Sequence, residues 1–200
     1  MKFATKVIHA NITPDPTTGA IMTPIYQTST YVQDGPGGHK GFEYSRTQNP
    51  TRQVLEQNLA ALENGKHGIC FASGMAAIDT LIKTLKPGDE VISVNDLYGG
   101  TYRLFTKVYA KYGIKFHFVD MRDVANVERE INENTKLIWV ETPTNPTMKI
   151  IDIVAMSKLA KANNVLLAVD NTFATPYLQN TLDLRADIVI HSFTTFLGGH

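Results

Sequence analysis

Asp170 closes an apolar run, Val165-Leu-Leu-Ala-Val-Asp170. A carboxylate at the end of such a run falls at the C-terminal edge of a sheet, where open α/β sheets bind ligands. A buried acid there wants a cationic partner, and a protonated pyridine nitrogen is one; the alternative is an aspartate that caps the following turn. Phe71-Ala-Ser73-Gly74-Met75 joins a candidate strand to a candidate helix. Ser73 can cap the helix, Gly74 permits close backbone approach, and the free N–H groups favour an anion such as phosphate. An ordinary strand-to-helix turn with a capping serine uses the same residues. Tyr98 precedes Gly99-Gly100, so its ring can lie flat against a planar ligand or simply pack. Two prolines stiffen Glu141-Thr-Pro143-Thr-Asn145-Pro146 and allow a cis bond; Asn145 either bonds a ligand oxygen or shapes the loop. Arg46, in Glu43-Tyr44-Ser45-Arg46, can grip a phosphate bidentately or stand solvated. Cys70 reads as a small buried hydrophobe in mid-strand.

These residues need a frame. Residues 1–49 carry no sustained periodicity and many Gly, Pro and Thr, which reads as an extended arm with turns. Asn49-Pro50 then opens a helix with Leu55, Leu59 and Leu62 on one face, stopped by Asn64-Gly65. After it strands and helices alternate. The candidate strands are 67–72, 90–95, 115–120, 135–141, 166–170 and 186–191, several of them near-continuous apolar runs of the kind buried on both faces. The candidate helices are 74–85, 100–112, 123–133 and 152–163; Met75, Ile78, Ile82 and Leu85 share a face of the first, and Asp152 caps the last. The alternation predicts a parallel α/β sheet with right-handed crossovers.

Composition removes several function classes. Lys+Arg and Asp+Glu both number 19, so no general attraction draws the chain to nucleic acid or an anionic membrane. No stretch approaches the roughly 20 apolar residues of a membrane span, and Met1-Lys-Phe-Ala-Thr-Lys6 lacks a signal-peptide core. A single cysteine rules out an internal disulfide and suits a reducing cytoplasm. The six histidines are scattered without ligand spacing, so no metal is expected. Neither GxGxxG nor GxxxxGK[ST] occurs.

Seven motifs, taken in order, resemble the Cys/Met-metabolism enzymes that use pyridoxal 5′-phosphate. They are Pro24-Ile-Tyr-Gln-Thr-Ser-Thr-Tyr31, Tyr44-Ser-Arg46-Thr-Gln-Asn-Pro-Thr-Arg52, Ala72-Ser-Gly-Met75, Asp96-Leu-Tyr98-Gly-Gly-Thr101, Glu141-Thr-Pro-Thr-Asn-Pro146, Val169-Asp170-Asn-Thr172 and Leu197-Gly-Gly-His200. That family includes cystathionine γ-synthase, cystathionine β- and γ-lyases and methionine γ-lyase. Gly100 sets the chain apart from methionine γ-lyase, which usually has a cysteine there. The resemblance implies fold type I, the aspartate-aminotransferase-like large domain with a mostly parallel sheet. It implies that Ser73, Gly74, Met75, Ser192 and Thr194 help hold the cofactor phosphate. Tyr98 would stack on the pyridine ring, Asp170 would pair with the ring nitrogen, and Asn145 and Thr172 would complete the site. Tyr44 and Arg46 would reach the phosphate of a neighbouring subunit in a dimer of dimers. The substrates would be cystathionine or related sulfur amino acids, by γ-replacement or β/γ-elimination at C–S bonds.

The match has two departures. The family ends this region with Ser-x-Thr-Lys-Tyr-Leu-Gly-Gly-His, whereas here Ser192-Phe193-Thr194-Thr195-Phe196 leads to Leu197. The Schiff-base lysine therefore maps to Thr195, and no lysine follows Lys161. Family members are also about twice as long. The expectation is an arm over 1–49, a truncated cofactor domain over 50–200 and no C-terminal domain. Such a chain is expected to be inactive, to bind pyridoxal phosphate weakly and without a covalent bond, or to pair with a full-length homolog.

Overall fold

A computed structural model describes residues 1–199. His200, the end of the last motif, lies outside the described residues. The described chain forms two compact units, Met1–Cys70 and the remainder from Phe71.

The first unit holds α1 (Phe3–His9) and α2 (Pro50–Leu62). The α2 start follows its sequence signal: Pro50 is the first helical residue and the Asn49 side chain accepts the Thr51 N–H. α1 lies inside the stretch expected as an extended arm; at seven residues, none of them buried, its apolar Phe3, Val7 and Ile8 span too few turns to stand out as a periodic face. Between the two helices the chain is joined locally by an isolated antiparallel bridge, Thr30 to Tyr44.

The expected strand over 67–72 does not form. A strand needs a partner for its N–H and C=O groups, and this segment belongs to no ladder. Cys70 is consequently half-buried rather than in a sheet core, and its N–H donates to the Glu56 carboxylate at 2.9 Å.

The second unit runs α3 (Gly74–Ile82), β1 (Glu90–Val94), α4 (Gly99–Arg103), β2 (Lys115–Val119), α5 (Val124–Glu128), β3 (Thr135–Glu141), α6 (Ile153–Ala162), β4 (Leu166–Asp170), α7 (Thr175–Leu178) and β5 (Ile188–Ile190). The predicted helix over 100–112 is helical throughout but changes pitch. A π-helical turn, Leu104–Val108, and a 3₁₀ turn, Tyr109–Tyr112, follow α4. The expected helix over 123–133 stops at Glu128. The five strands are all parallel, in the order β2-β1-β3-β4-β5.

Every residue of β1 is buried, as are six of the seven in β3. That matches their continuous apolar runs, since helices cover both faces of such a sheet. Phe105 stacks on Phe116 at 4.5 Å and meets Trp139 edge-on at 5.7 Å. Ile78 and Ile82 bury the inner face of α3. Asp152 caps α6 by accepting the Ala155 N–H at 2.9 Å.

The strand order places the site. The chain moves from β1 to β2 on one side and then returns to β3 on the other. Such a reversal leaves a crevice beyond the C-terminal ends of the strands. Tyr98 follows β1 there, Glu141 and the Pro143–Pro146 loop end β3, and Asp170 ends β4.

Candidate active site

A cavity of about 300 Å³ opens at that edge. It is lined by Ser73, Gly74 and Met75 at the start of α3, by Tyr98 after β1, by Asn145 after β3, by Asp170 and Thr172 after β4, and by Ser192, Thr194 and Thr195 after β5. Ten sequence-predicted residues, scattered over more than a hundred positions, thus share one cavity. Tyr44 and Arg46 belong to the first unit, where the Arg46 guanidinium donates to the Tyr44 hydroxyl at 2.5 Å and lies 4.9 Å from its ring centre.

Each wall has a local cause. Ser73 caps α3, its Oγ accepting the Ala76 N–H at 3.1 Å, as an ordinary turn would have it. The packing beside it is less ordinary. A Cβ at Gly74 would lie 2.9 Å from the Ser192 Cβ, so only glycine lets the α3 start meet the Ser192 loop. Gly100 does the same for Tyr98: a Cβ there would lie 2.3 Å from the Tyr98 ring and 3.0 Å from the Met75 sulfur.

A chain of hydrogen bonds joins the β4 and β5 ends. The Ser192 N–H donates to the Thr172 hydroxyl at 2.9 Å, and that hydroxyl donates to Asp170 Oδ1 at 2.6 Å. The Thr172 N–H reaches the same oxygen at 3.1 Å. Both bonds converge on Oδ1, so Oδ2 is left for another donor. Burial raises the Asp170 pKa, partly offset by the Thr172 bonds and by nearby His191.

The Asn145 loop is held from β1. Asp96 Oδ2 accepts the hydroxyls of Thr144 and Thr147 and the Thr147 N–H. Thr142-Pro143 and Asn145-Pro146 are both cis, where the sequence allowed one cis bond.

Sequence reasoning did not single out Ile78, Glu141, Pro143, Phe173 or Ile190 as site residues, yet all five line the cavity. For Glu141 the signal existed. It ends the apolar run Leu137-Ile-Trp-Val140 as Asp170 ends its own.

Among the described residues the lining holds two acids and no lysine, arginine or histidine. It therefore fits a ligand that brings its own cation to Asp170 and an anion to the α3 start and its neighbouring hydroxyls. Pyridoxal phosphate has that pattern, with a protonated ring nitrogen and a phosphate. Among the described residues no group of three His, Cys, Asp or Glu side chains could hold a metal ion, and no helix is long and apolar enough to cross a membrane.

Comparisons with known proteins agree with this geometry. Residues 4–200 match the family described as Cys/Met metabolism PLP-dependent enzyme. A probable cystathionine gamma-synthase of Herpetosiphon aurantiacus is 53% identical over 198 residues, covering 99% of this chain and 62% of that protein. A cystathionine beta-lyase of Coxiella burnetii is 52% identical over 197 residues, covering 98% of this chain and 51% of that protein. The solved cystathionine gamma-lyase from Lactobacillus plantarum, complexed with L-serine, superposes with a TM-score of 0.97 at 51% identity over 100% of this chain and 52% of that one. The chain spans roughly half to three-fifths of the length of these relatives. Its parallel sheet and flanking helices are the large-domain fold of those enzymes, and the chain belongs to the Cys/Met metabolism PLP-dependent enzyme family.

Proposed function

We propose that this chain supplies the cofactor cavity of an enzyme acting at C–S bonds of cystathionine or a related sulfur amino acid, by γ-replacement or β/γ-elimination. The observation that carries the reading is the cavity itself: a buried acid, an aromatic wall and an anion cradle meet in one place. When bound, pyridoxal phosphate supplies an electron sink for charge developing on an amino-acid substrate. The protein's part is binding and orientation. Asp170 holds the ring nitrogen in its protonated form, which strengthens the sink. The half-exposed Tyr98 ring covers one face of the planar ligand. The α3 start with Ser73, Gly74 and Met75, together with Ser192 and Thr194, takes the phosphate, and Asn145 and Thr172 fix the ring substituents and Asp170.

Thr195 gives this cavity a second character. It stands where the family carries its cofactor-linked lysine, and it lines the cavity. A threonine hydroxyl offers neither an amine nor a base active near neutral pH. The chain as it stands therefore binds the cofactor reversibly and does not turn over substrate. A partner role beside a full-length homolog, in a cytoplasmic setting, belongs to the same proposal.

The test is a titration with pyridoxal 5′-phosphate and, separately, with pyridoxal, followed by the fluorescence of Trp139, the only tryptophan. Saturable binding of the phosphate ester, with pyridoxal at least tenfold weaker, is expected from the loss of charge-assisted phosphate bonds. Equal affinity for both, or no binding of either, contradicts the reading.

A further inference from the structure

Glu141 is the second acid of the cavity and has no assigned part. It ends β3 and lies in register with Asp170 across the β3–β4 ladder, so the two carboxyl groups are strand neighbours. Both are buried, at 5% and 8% exposure. Neither forms a salt bridge with a described residue. Glu141 Oε2 accepts the Tyr98 N–H at 2.9 Å, across 43 positions of sequence. The Asn145 N–H also favours its ionised form. Glu141 thus holds the turn that carries the aromatic wall and, as the last residue of β3, stands at the root of the loop that carries Asn145.

We propose that Glu141 is the positioning residue of this cavity, fixing the Tyr98 turn against the Asn145 loop while remaining an uncharged acid beside Asp170. The inference rests on the reading of the cavity as a cofactor site. Its physical basis is that two adjacent buried carboxylates without a cation do not both ionise. Asp170 is the member suited to carry the charge: its Oδ1 accepts the Thr172 hydroxyl at 2.6 Å as well as the Thr172 N–H, and its Oδ2 is left for a ligand cation. Glu141 keeps the proton. Burial is the main cause, followed by the Asp170 charge, with Asp96 adding to it; together they push its pKa up to about 8. The other titratable groups facing this cluster are His191, beside Asp170, and Lys149, beside Asp96. A neutral Glu141 still accepts the Tyr98 N–H through its carbonyl oxygen. It adds no second negative charge where a phosphate ester must enter.

Glutamine should therefore replace Glu141 well and alanine should not. In the full chain, Glu141→Gln is expected to bind pyridoxal 5′-phosphate within about twofold of wild type at pH 7. Glu141→Ala is expected to bind about tenfold more weakly, because the Tyr98 N–H is left without its acceptor. A second readout needs no cofactor. The folded state holds a proton on Glu141 that the unfolded chain releases near pH 4.5, so wild-type stability falls as pH rises from there toward 8. Melting temperatures taken from pH 5 to 9 should show that decline in wild type and a flatter profile in Glu141→Gln. Parallel melting profiles for wild type and Glu141→Gln would overturn the inference, as would alanine and glutamine variants that bind alike. Absent cofactor binding by wild type, with the difference in melting profiles intact, would overturn the reading of the cavity and leave the placement of Glu141 standing.

Discussion

At Asp170 stability and the proposed cofactor binding pull in opposite directions. Burial raises its pKa, so the folded state loses stability as pH rises through the folded value. Asparagine keeps the acceptor for Thr172 and removes the charge. Asp170→Asn is therefore expected to melt higher than wild type at pH 8 and to bind pyridoxal phosphate at least tenfold more weakly. Paired melts and titrations check this, and a variant that binds tightly would remove Asp170 from the site. Gly74 offers a steric counterpart. A Cβ placed 2.9 Å from the Ser192 Cβ must move the loop after β5, so Gly74→Ala should cost about 1–3 kcal/mol by denaturant unfolding. An unchanged midpoint would mean that the two segments are not packed as described. At this scale the sequence was most legible where a residue type carried its own chemistry. Asp170, Tyr98 and Ser73 could be read in that way. Glu141 was harder, because its role depends on register with Asp170, and register is a property of two strands.

The elements divide into those that announce themselves and those that depend on partners. β1, β3 and β4 are apolar runs buried on both faces, and such runs have few other stable fates. Residues 67–72 carry a similar pattern, Ile69 and Phe71 included, yet form no strand. Strand propensity is a fit to neighbours, and no ladder is offered there. The pitch change after Arg103 was equally hidden, since 3.6-residue periodicity does not mark a π turn. The opposite end of the sheet from the cavity makes its own prediction. Glu90, at the start of β1, accepts from Asn132 at 2.8 Å, Lys115 at 3.0 Å and His117 at 2.8 Å. Those bonds, Asn132 first, hold its pKa down to about 2. The stabilisation is present above the ordinary glutamate value of 4.5 and is lost as pH falls toward 2. Glu90→Gln should shrink the acid-induced loss of melting temperature between pH 4.5 and 2. An identical acid profile would show that these contacts do not couple to folding.

For the whole molecule, apolar side chains on the surface of each unit bear on assembly. In the first unit Ile21, Met22, Ile25 and Val32 are all at least 70% exposed. In the second, Tyr177 and Leu178 project to a similar degree. Exposed apolar groups of this kind favour association. Sedimentation velocity is expected to give species larger than 22.2 kDa, and a single monomeric boundary at micromolar concentration would contradict this. If Tyr44 and Arg46 act on a second copy, Arg46→Ala should weaken pyridoxal phosphate binding several-fold. Residue 195 is proposed to occupy the attachment point of a cofactor cavity that otherwise keeps its parts. The most direct test is borohydride reduction in the presence of pyridoxal 5′-phosphate, followed by peptide mass spectrometry of wild type and Thr195→Lys. No cofactor mass is expected on the wild-type peptide containing Thr195, and a fixed adduct is expected at that position in Thr195→Lys. An unmodified lysine in that variant, with the fold intact, would contradict it.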